Sequence, residues 1–209
     1  MSHPSKPAAK PAAKPAAKPA AIILAAGESR RMGRAKAYLP FRGGTFLSGI
    51  ADTLGRRCHP VIAVFGFDAE RLRQSAPLTV LPVENPNYQN GMLTSLQAGL
   101  RALPETCDSV LFTLVDHPAI SPATVDAVLE SNAPIAIPRF RNKRGHPVLI
   151  RAEIAAEFLR EPTTSKVRDV IDRHAHEIDY IEVVDPGIWD DIDDPALYEK
   201  LLAREAARV

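Results

Sequence analysis

The chain has 209 residues, with 26 lysines and arginines against 25 aspartates and glutamates. That length suffices for a domain with a sizeable core, and the near balance of charge leaves no whole-chain argument for nucleic-acid binding. No apolar run approaches the ~20 residues that a membrane-spanning helix needs. Cys58 and Cys107 are far apart and lack metal-ligand spacing, so they read as lone structural thiols suited to a reducing cytoplasm.

Residues 1–19 repeat Lys-Pro-Ala-Ala. Frequent proline stops helices and removes donors, so this segment is expected to be a disordered or polyproline-like tail. It has no apolar stretch of the secretory kind, and a single domain is expected over residues 20–209. The apolar run 21–26 reads as a buried strand. It breaks at Ala26-Gly27 into a loop carrying Arg30, Arg31, Gly33, Arg34 and Lys36. A helix is expected over 45–57, with Phe46, Leu47, Ile50 and Leu54 at helical spacing. A strand at 60–65, a short helix capped by Asp68 and a strand at 79–83 come next. Asn85-Pro86-Asn87 is turn chemistry. The helix 91–103 carries Met92, Leu96, Leu100 and Leu103 near one face. The apolar strand 109–115 runs into Asp116, and Ser121-Pro122 opens a helix reaching about residue 130. Strands at 134–138 and 147–150 flank a basic turn. Helices at 152–159 and 167–173, a strand at 178–184 and a helix at 195–207 complete the chain. Strands alternating with amphipathic helices predict a doubly wound α/β fold with a mainly parallel sheet. Such folds bind ligands at the carboxyl ends of strands, where the first loop and Asp116 both fall.

Four stretches carry chemistry. Glycines in the first loop let backbone amides approach phosphate oxygens, and the cations neutralise them. The loop has neither the P-loop Gly-Lys-Ser/Thr ending nor the Gly-x-Gly-x-x-Gly of dinucleotide sites, so a solvated arginine loop is the competing reading. Asp116, at the tip of a buried strand, suits a hard ion such as Mg²⁺ and equally suits a turn. In Trp189-Asp190-Asp191-Ile192-Asp193-Asp194-Pro195, Asp194 reads as the cap of the last helix, which leaves three aspartates without a structural role. Gly91 opens a helix whose first turn offers Thr94 and Ser95 hydroxyls, with Met92 assigned to the core. His174 and His176 read as helix-end surface residues, and His117 as a bystander near the site.

Leu24-Ala25-Ala26-Gly27-x-Ser29-x-Arg31-Met32-Gly33-x-x-Lys36 resembles the signature of the nucleotidyltransferases that act on the molybdenum cofactor, a MobA-like family. It looks most like the cytidylyltransferase branch, because the guanylyltransferase branch usually has Leu-Ala-Gly-Gly at its start. Asn85-Pro86-x-Tyr88-x-x-Gly91-Met92-x-x-Ser95-Leu96, Asp116-x-Pro118 and Arg144-Gly145-His146-Pro147-Val148-Leu149 are similar to further family segments, in the same order. The resemblance implies a three-layer α/β/α, Rossmann-like sheet of the GT-A-like nucleotide-diphospho-sugar transferase type. It implies nucleotide binding by Leu24, Ala25, Ala26, Gly27, Arg31, Lys36 and Ser95, with Lys36, Arg31 and Asp116 in the catalytic machinery. Asp116 and Asp193 would hold Mg²⁺, with Asp191 in reserve, and Gly145 and His146 would face the acceptor. The family often has Gln or Met in place of His117. The implied substrates are CTP and molybdopterin-bound molybdenum, with a recipient molybdoenzyme as a further partner. Rival readings are transfer to a sugar phosphate or methylerythritol phosphate, a non-catalytic cofactor carrier, and a redox branch of similar sequences whose flavin or nicotinamide fingerprint this chain lacks.

Overall fold

The computed structural model describes residues 18–207, so nearly all of the Lys-Pro-Ala tail lies outside the described residues. In chain order the sheet and helix elements are β1 (Ala20–Ala25), β2 (Pro40–Phe41), β3 (Gly44–Thr45), α1 (Phe46–Gly55), β4 (Val61–Phe65), α2 (Ala69–Ser75), β5 (Leu81–Glu84), α3 (Met92–Arg101), β6 (Ser109–Leu114), α4 (Pro122–Leu129), β7 (Ile135–Phe140), β8 (Lys143–Arg144), β9 (Val148–Arg151), α5 (Ala152–Arg160), α6 (Val167–Arg173), β10 (Ile178–Glu182) and α7 (Pro195–Ala206). Eight strands form one sheet in the order β10-β7-β9-β6-β1-β4-β5, with β8 hairpinned onto β7. β9 runs antiparallel to both its neighbours, whereas β1 pairs in parallel with β4 and β6. The expected mainly parallel α/β sheet is therefore present.

β1 is buried on both faces, and its alternation divides the core in two. Ala21, Ile23 and Ala25 pack with α1, α4 and α7, while Ile22 and Leu24 pack with α3, α5 and α6. Gly99 lets α3 sit close on the strands: a Cβ there would lie 2.8 Å from Ile22 Cγ2 and 3.1 Å from Val64 Cγ2. Thr45 caps α1 reciprocally with Ser48, and Asp194 caps α7 by accepting from Leu197 N at 2.9 Å. Asp68 stands at the start of α2 in the left-handed region, and its side chain makes no cap bond.

The two-residue strands β2, β3 and β8 went unrecognised because they are too short to show a period, whereas β7 was expected at 134–138. β2–β3 turns on Arg42-Gly43, and β7–β8 turns on Arg141-Asn142, with positive φ at all four residues as two-residue hairpin turns require. His174 is corrected from surface to bridge. Its ring bonds Glu157 at 2.6 Å and Glu177 at 2.8 Å, joining α5 to the end of α6. His176 is exposed, as expected. Cys58 is buried, and that burial pushes its thiol up to about 12; Cys107 donates to Ser109 O at 3.1 Å. No helix among the described residues is long and apolar enough to cross a membrane.

Candidate active site

After β1 the chain turns back on one side of the sheet to β4 and β5, and it returns through α3 to place β6 on the other side of β1. The carboxyl ends of β1 and β6 therefore flank the point where the strand order reverses, which is where open α/β sheets leave a crevice. Val115 N donates to Leu24 O at 3.0 Å, holding the two strand ends together. The loop after β1 is wound by Met32 N and Gly33 N donating to Ser29 O at 3.0 and 3.1 Å, with Ser29 and Gly33 at φ 52° and 72°. Buried Met32 pins the loop to the core. The loop ends at Lys36, whose amide donates to Ser29 Oγ at 3.2 Å.

A cavity of about 350 Å³ opens over this junction. Its walls include every residue assigned to the nucleotide from the sequence: Leu24, Ala25, Ala26, Gly27, Arg31, Lys36 and Ser95. Asp116 and Asp193 also line it, and Arg34 does not. Arg30 reaches the cavity but is paired with Glu28. Ser95 is buried and accepts from Asn85 Nδ2 at 3.0 Å, and the same amide donates to Thr94 Oγ1 at 2.9 Å. Asn85 thus locks the loop before α3 onto its first turn. The turn-like Asn-Pro-Asn sequence signalled a bend there and gave no sign of this buried amide.

The acidic segment before α7 is brought in by Ile192, which is buried and whose amide donates to Asp116 O at 3.0 Å. Asp116, Asp191 and Asp193 then each place one carboxylate oxygen within 4.8 Å of the others. Lys36 Nζ donates to Asp116 Oδ2 at 2.9 Å and to Asp193 Oδ1, and Arg31 donates to Asp193 Oδ2. Burial opposes the Lys36 charge, but the Asp116 charge and the hydrogen bonds to both carboxylates outweigh it, so its pKa lies above the ordinary lysine value. Burial likewise opposes the Asp193 charge, yet Lys36 and Arg31 hold its carboxyl below the ordinary aspartate value. Asp191 makes no hydrogen bond to either cation, and desolvation with the charges of Asp116 and Asp193 outweighs the more distant Lys36 and raises it. Asp116 Oδ1 is buried without a hydrogen-bond partner. An orphaned anionic oxygen among three convergent carboxylates is a donor set that fits a hard divalent ion.

A second cavity, of about 790 Å³, meets the first at Gly91 and Met92. Met92 is corrected from core to surface: it is 46% exposed, because the start of α3 projects between the two cavities. Gly145 and His146 line the second cavity, with Lys143, Arg144, Lys166 and Arg168 among the cations around it. The absence of a side chain at Gly145 serves the fold. A Cβ there would lie 2.2 Å from Ile188 O, the carbonyl that accepts from His146 N at 3.1 Å. His117, read from the sequence as a bystander near the site, is buried, lines the same cavity and lies against the His146 ring with centroids 4.7 Å apart. Burial, and then the neighbouring His117, push His146 down to about 3, so it stays neutral at physiological pH.

The MobA-like NTP transferase domain model matches residues 21–178. Molybdenum cofactor cytidylyltransferase of Escherichia coli is 28% identical over 173 residues, covering 78% of this chain and 87% of that one. Nicotine blue oxidoreductase of Paenarthrobacter nicotinovorans is 38% identical over 144 residues, covering 63% and 70%. Among solved structures, Rv0371c of Mycobacterium tuberculosis in complex with manganese shares the fold at a TM-score of 0.72 and 23% identity, over 90% of this chain and 99% of that one.

Proposed function

The chain belongs to the MobA-like NTP transferase family, a family of nucleotidyltransferases, and from that premise we propose that it transfers a cytidylyl group from CTP to a molybdopterin-type acceptor in the cytoplasm. The observation that carries this reading is the pair of cavities meeting at Gly91 and Met92, one walled by phosphate-binding chemistry and the other ringed by cations. Nucleotide in the smaller cavity and acceptor in the larger would meet at that junction. An acceptor phosphate oxygen attacks the α-phosphorus, the bond to the β-phosphate oxygen breaks, and pyrophosphate leaves. Such transfer needs positioning and charge neutralisation more than a covalent nucleophile.

The chain supplies both. Lys36 and Arg31 bring positive charge to the triphosphate, and the loop after β1 brings backbone amides. Buried Ala26 lines the wall at the position where the guanylyl branch carries the first glycine of Leu-Ala-Gly-Gly, which favours CTP over GTP. Asp116 and Asp193, with Asp191 beside them, would hold Mg²⁺, which when bound neutralises charge on the phosphates. Lys143, Arg144, Lys166 and Arg168 would orient an anionic acceptor, and neutral His146 would stand as a hydrogen-bonding wall rather than a charge.

The 38% identity to nicotine blue oxidoreductase favours a second reading, oxidation or reduction of such a substrate in the larger cavity. One experiment separates the two. Pyrophosphate release is measured with Mg²⁺ across the four ribonucleoside triphosphates, with and without molybdenum cofactor, beside oxidation of NADH and NADPH with nicotine blue. Release confined to CTP with cofactor, lost by at least ~100-fold in Asp116→Asn, is the expected result. Nicotinamide oxidation without pyrophosphate release would overturn the transferase reading.

A further inference from the structure

Lys36 stands where a metal reading of the cluster needs open oxygens. Both Asp193 oxygens are already bonded, one to Lys36 and one to Arg31, and Asp116 Oδ2 is bonded to Lys36. Among the described residues, Asp116 Oδ1 and the Asp191 carboxylate have no hydrogen-bond partner. Three carboxylates face two cations, so the cluster already holds most of its neutralising charge. A divalent ion drawing on Asp116 and Asp193 together would sit beside the ammonium on the same two carboxylates, with like charges brought close.

The Lys36 backbone cannot yield. Its amide is tied to Ser29, and Ala37 and Leu39 are buried just beyond it. Its side chain can, since the charge sits on a flexible four-carbon stem. The phosphate groups of a nucleotide in the same cavity would offer the ammonium a second anionic partner.

We infer that Lys36 is the resident counter-ion of the carboxylate cluster, that it and a divalent ion exclude one another there, and that nucleotide opens the cluster by drawing the ammonium onto its phosphates. Metal and nucleotide then bind with positive coupling, and linkage makes the coupling reciprocal. The inference rests on the phosphate-binding reading of Lys36 given above. It adds an order of events: the free protein is a poor metal binder, and the ion enters together with, or after, the nucleotide.

The test is Mn²⁺ binding to the nucleotide-free protein, followed by the paramagnetic resonance of free Mn²⁺, for wild type, Lys36→Met and Lys36→Gln. Both variants should bind Mn²⁺ at least about tenfold more tightly than wild type, within the usual range of coupling between sites. Equal or weaker binding by the variants would show that the ammonium and the ion coexist, and would overturn the inference while leaving the metal reading intact. No Mn²⁺ binding by any of the three nucleotide-free proteins would also overturn the inference, because removing the ammonium would then open no site. Acetylation mapping of wild type needs no variant. Saturating Mg²⁺ without nucleotide should raise the acetylation of Lys36, which is now buried; unchanged acetylation counts against displacement.

Discussion

Asp116 and His117 are neighbours in the chain and belong to different cavities. Asp116 lines the smaller one, with Lys36 and Asp193, and His117 lines the larger one, against His146. The strand β6 ends just before them, at Leu114, and one peptide bond then separates the residue that lines the smaller cavity from the one that lines the larger. The Nδ1 atoms of His117 and His146 are both buried without a partner, a cost the fold sustains at this wall alone among its described histidines. His117→Gln, which installs a residue common in the family, should raise the acceptor KM roughly five- to tenfold, about the worth of one hydrogen bond, and leave the nucleotide KM unchanged. A change in nucleotide KM with an unmoved acceptor KM would show that His117 acts through Asp116 instead. The single residues of this site were legible where their type and local spacing carry meaning, as for Gly27, Arg31, Lys36 and Asp116. The partnerships were not: Lys36 meets Asp193 across 157 positions, and no periodicity connects them.

At the scale of elements, the wall of the larger cavity around His146 is held by a loop packed on a turn. The approach to β9 crosses the turn at Pro186–Trp189 so closely that only glycine fits at 145. That turn is fixed in its own right by buried Asp185, which accepts from Gly187 N at 2.9 Å, Ser121 N at 2.9 Å and Thr124 Oγ1 at 2.7 Å. Gly145→Ala should therefore lower stability by about 1–3 kcal/mol, the cost of overpacking a close contact. It should also weaken acceptor binding through a displaced His146, with nucleotide binding kept. Denaturant unfolding together with the two KM values checks this, and an unfolding midpoint equal to wild type would mean that the contact relaxes freely. Long elements were read correctly, β1, β4 and β6 as continuous apolar runs and α1 and α3 from their helical spacing. Met92 was misassigned because an apolar residue opening a helix looks like core until the neighbouring cavities are known. The two-residue arms β2, β3 and β8 have no period at all, and the Arg42-Gly43 and Arg141-Asn142 turns lack the usual Asn-Gly or Asp-Gly signal.

Across the whole molecule, two histidines on the same side of the sheet respond to pH in opposite directions. Hydrogen bonds to Glu177 and then Glu157 favour the charged form of His174, so its folded pKa stands above its unfolded value. Its contribution to stability is complete below about pH 6.5 and is lost as pH rises through the raised value. His146 is the reverse. Burial and the neighbouring His117 push its folded value down to about 3. Its neutral form contributes fully above about pH 6.5, and that contribution is lost as pH falls toward the lowered value. Glu157, lowered by its bonds to His174 and Arg173, adds a loss on the acid side as pH falls below its unfolded value near 4.5. His174→Gln should therefore flatten the fall in melting temperature on raising the pH above about 6.5, and His146→Gln should flatten the fall on lowering it from about 6.5 toward 4. The two effects should add, because the residues share no hydrogen bond or ring contact. Melting curves of the two single variants and the double variant between pH 4 and 9 test this. An alkaline slope unchanged by His174→Gln would mean that the clamp between α5 and α6 is held by Arg173, which bonds both Glu157 and Glu161.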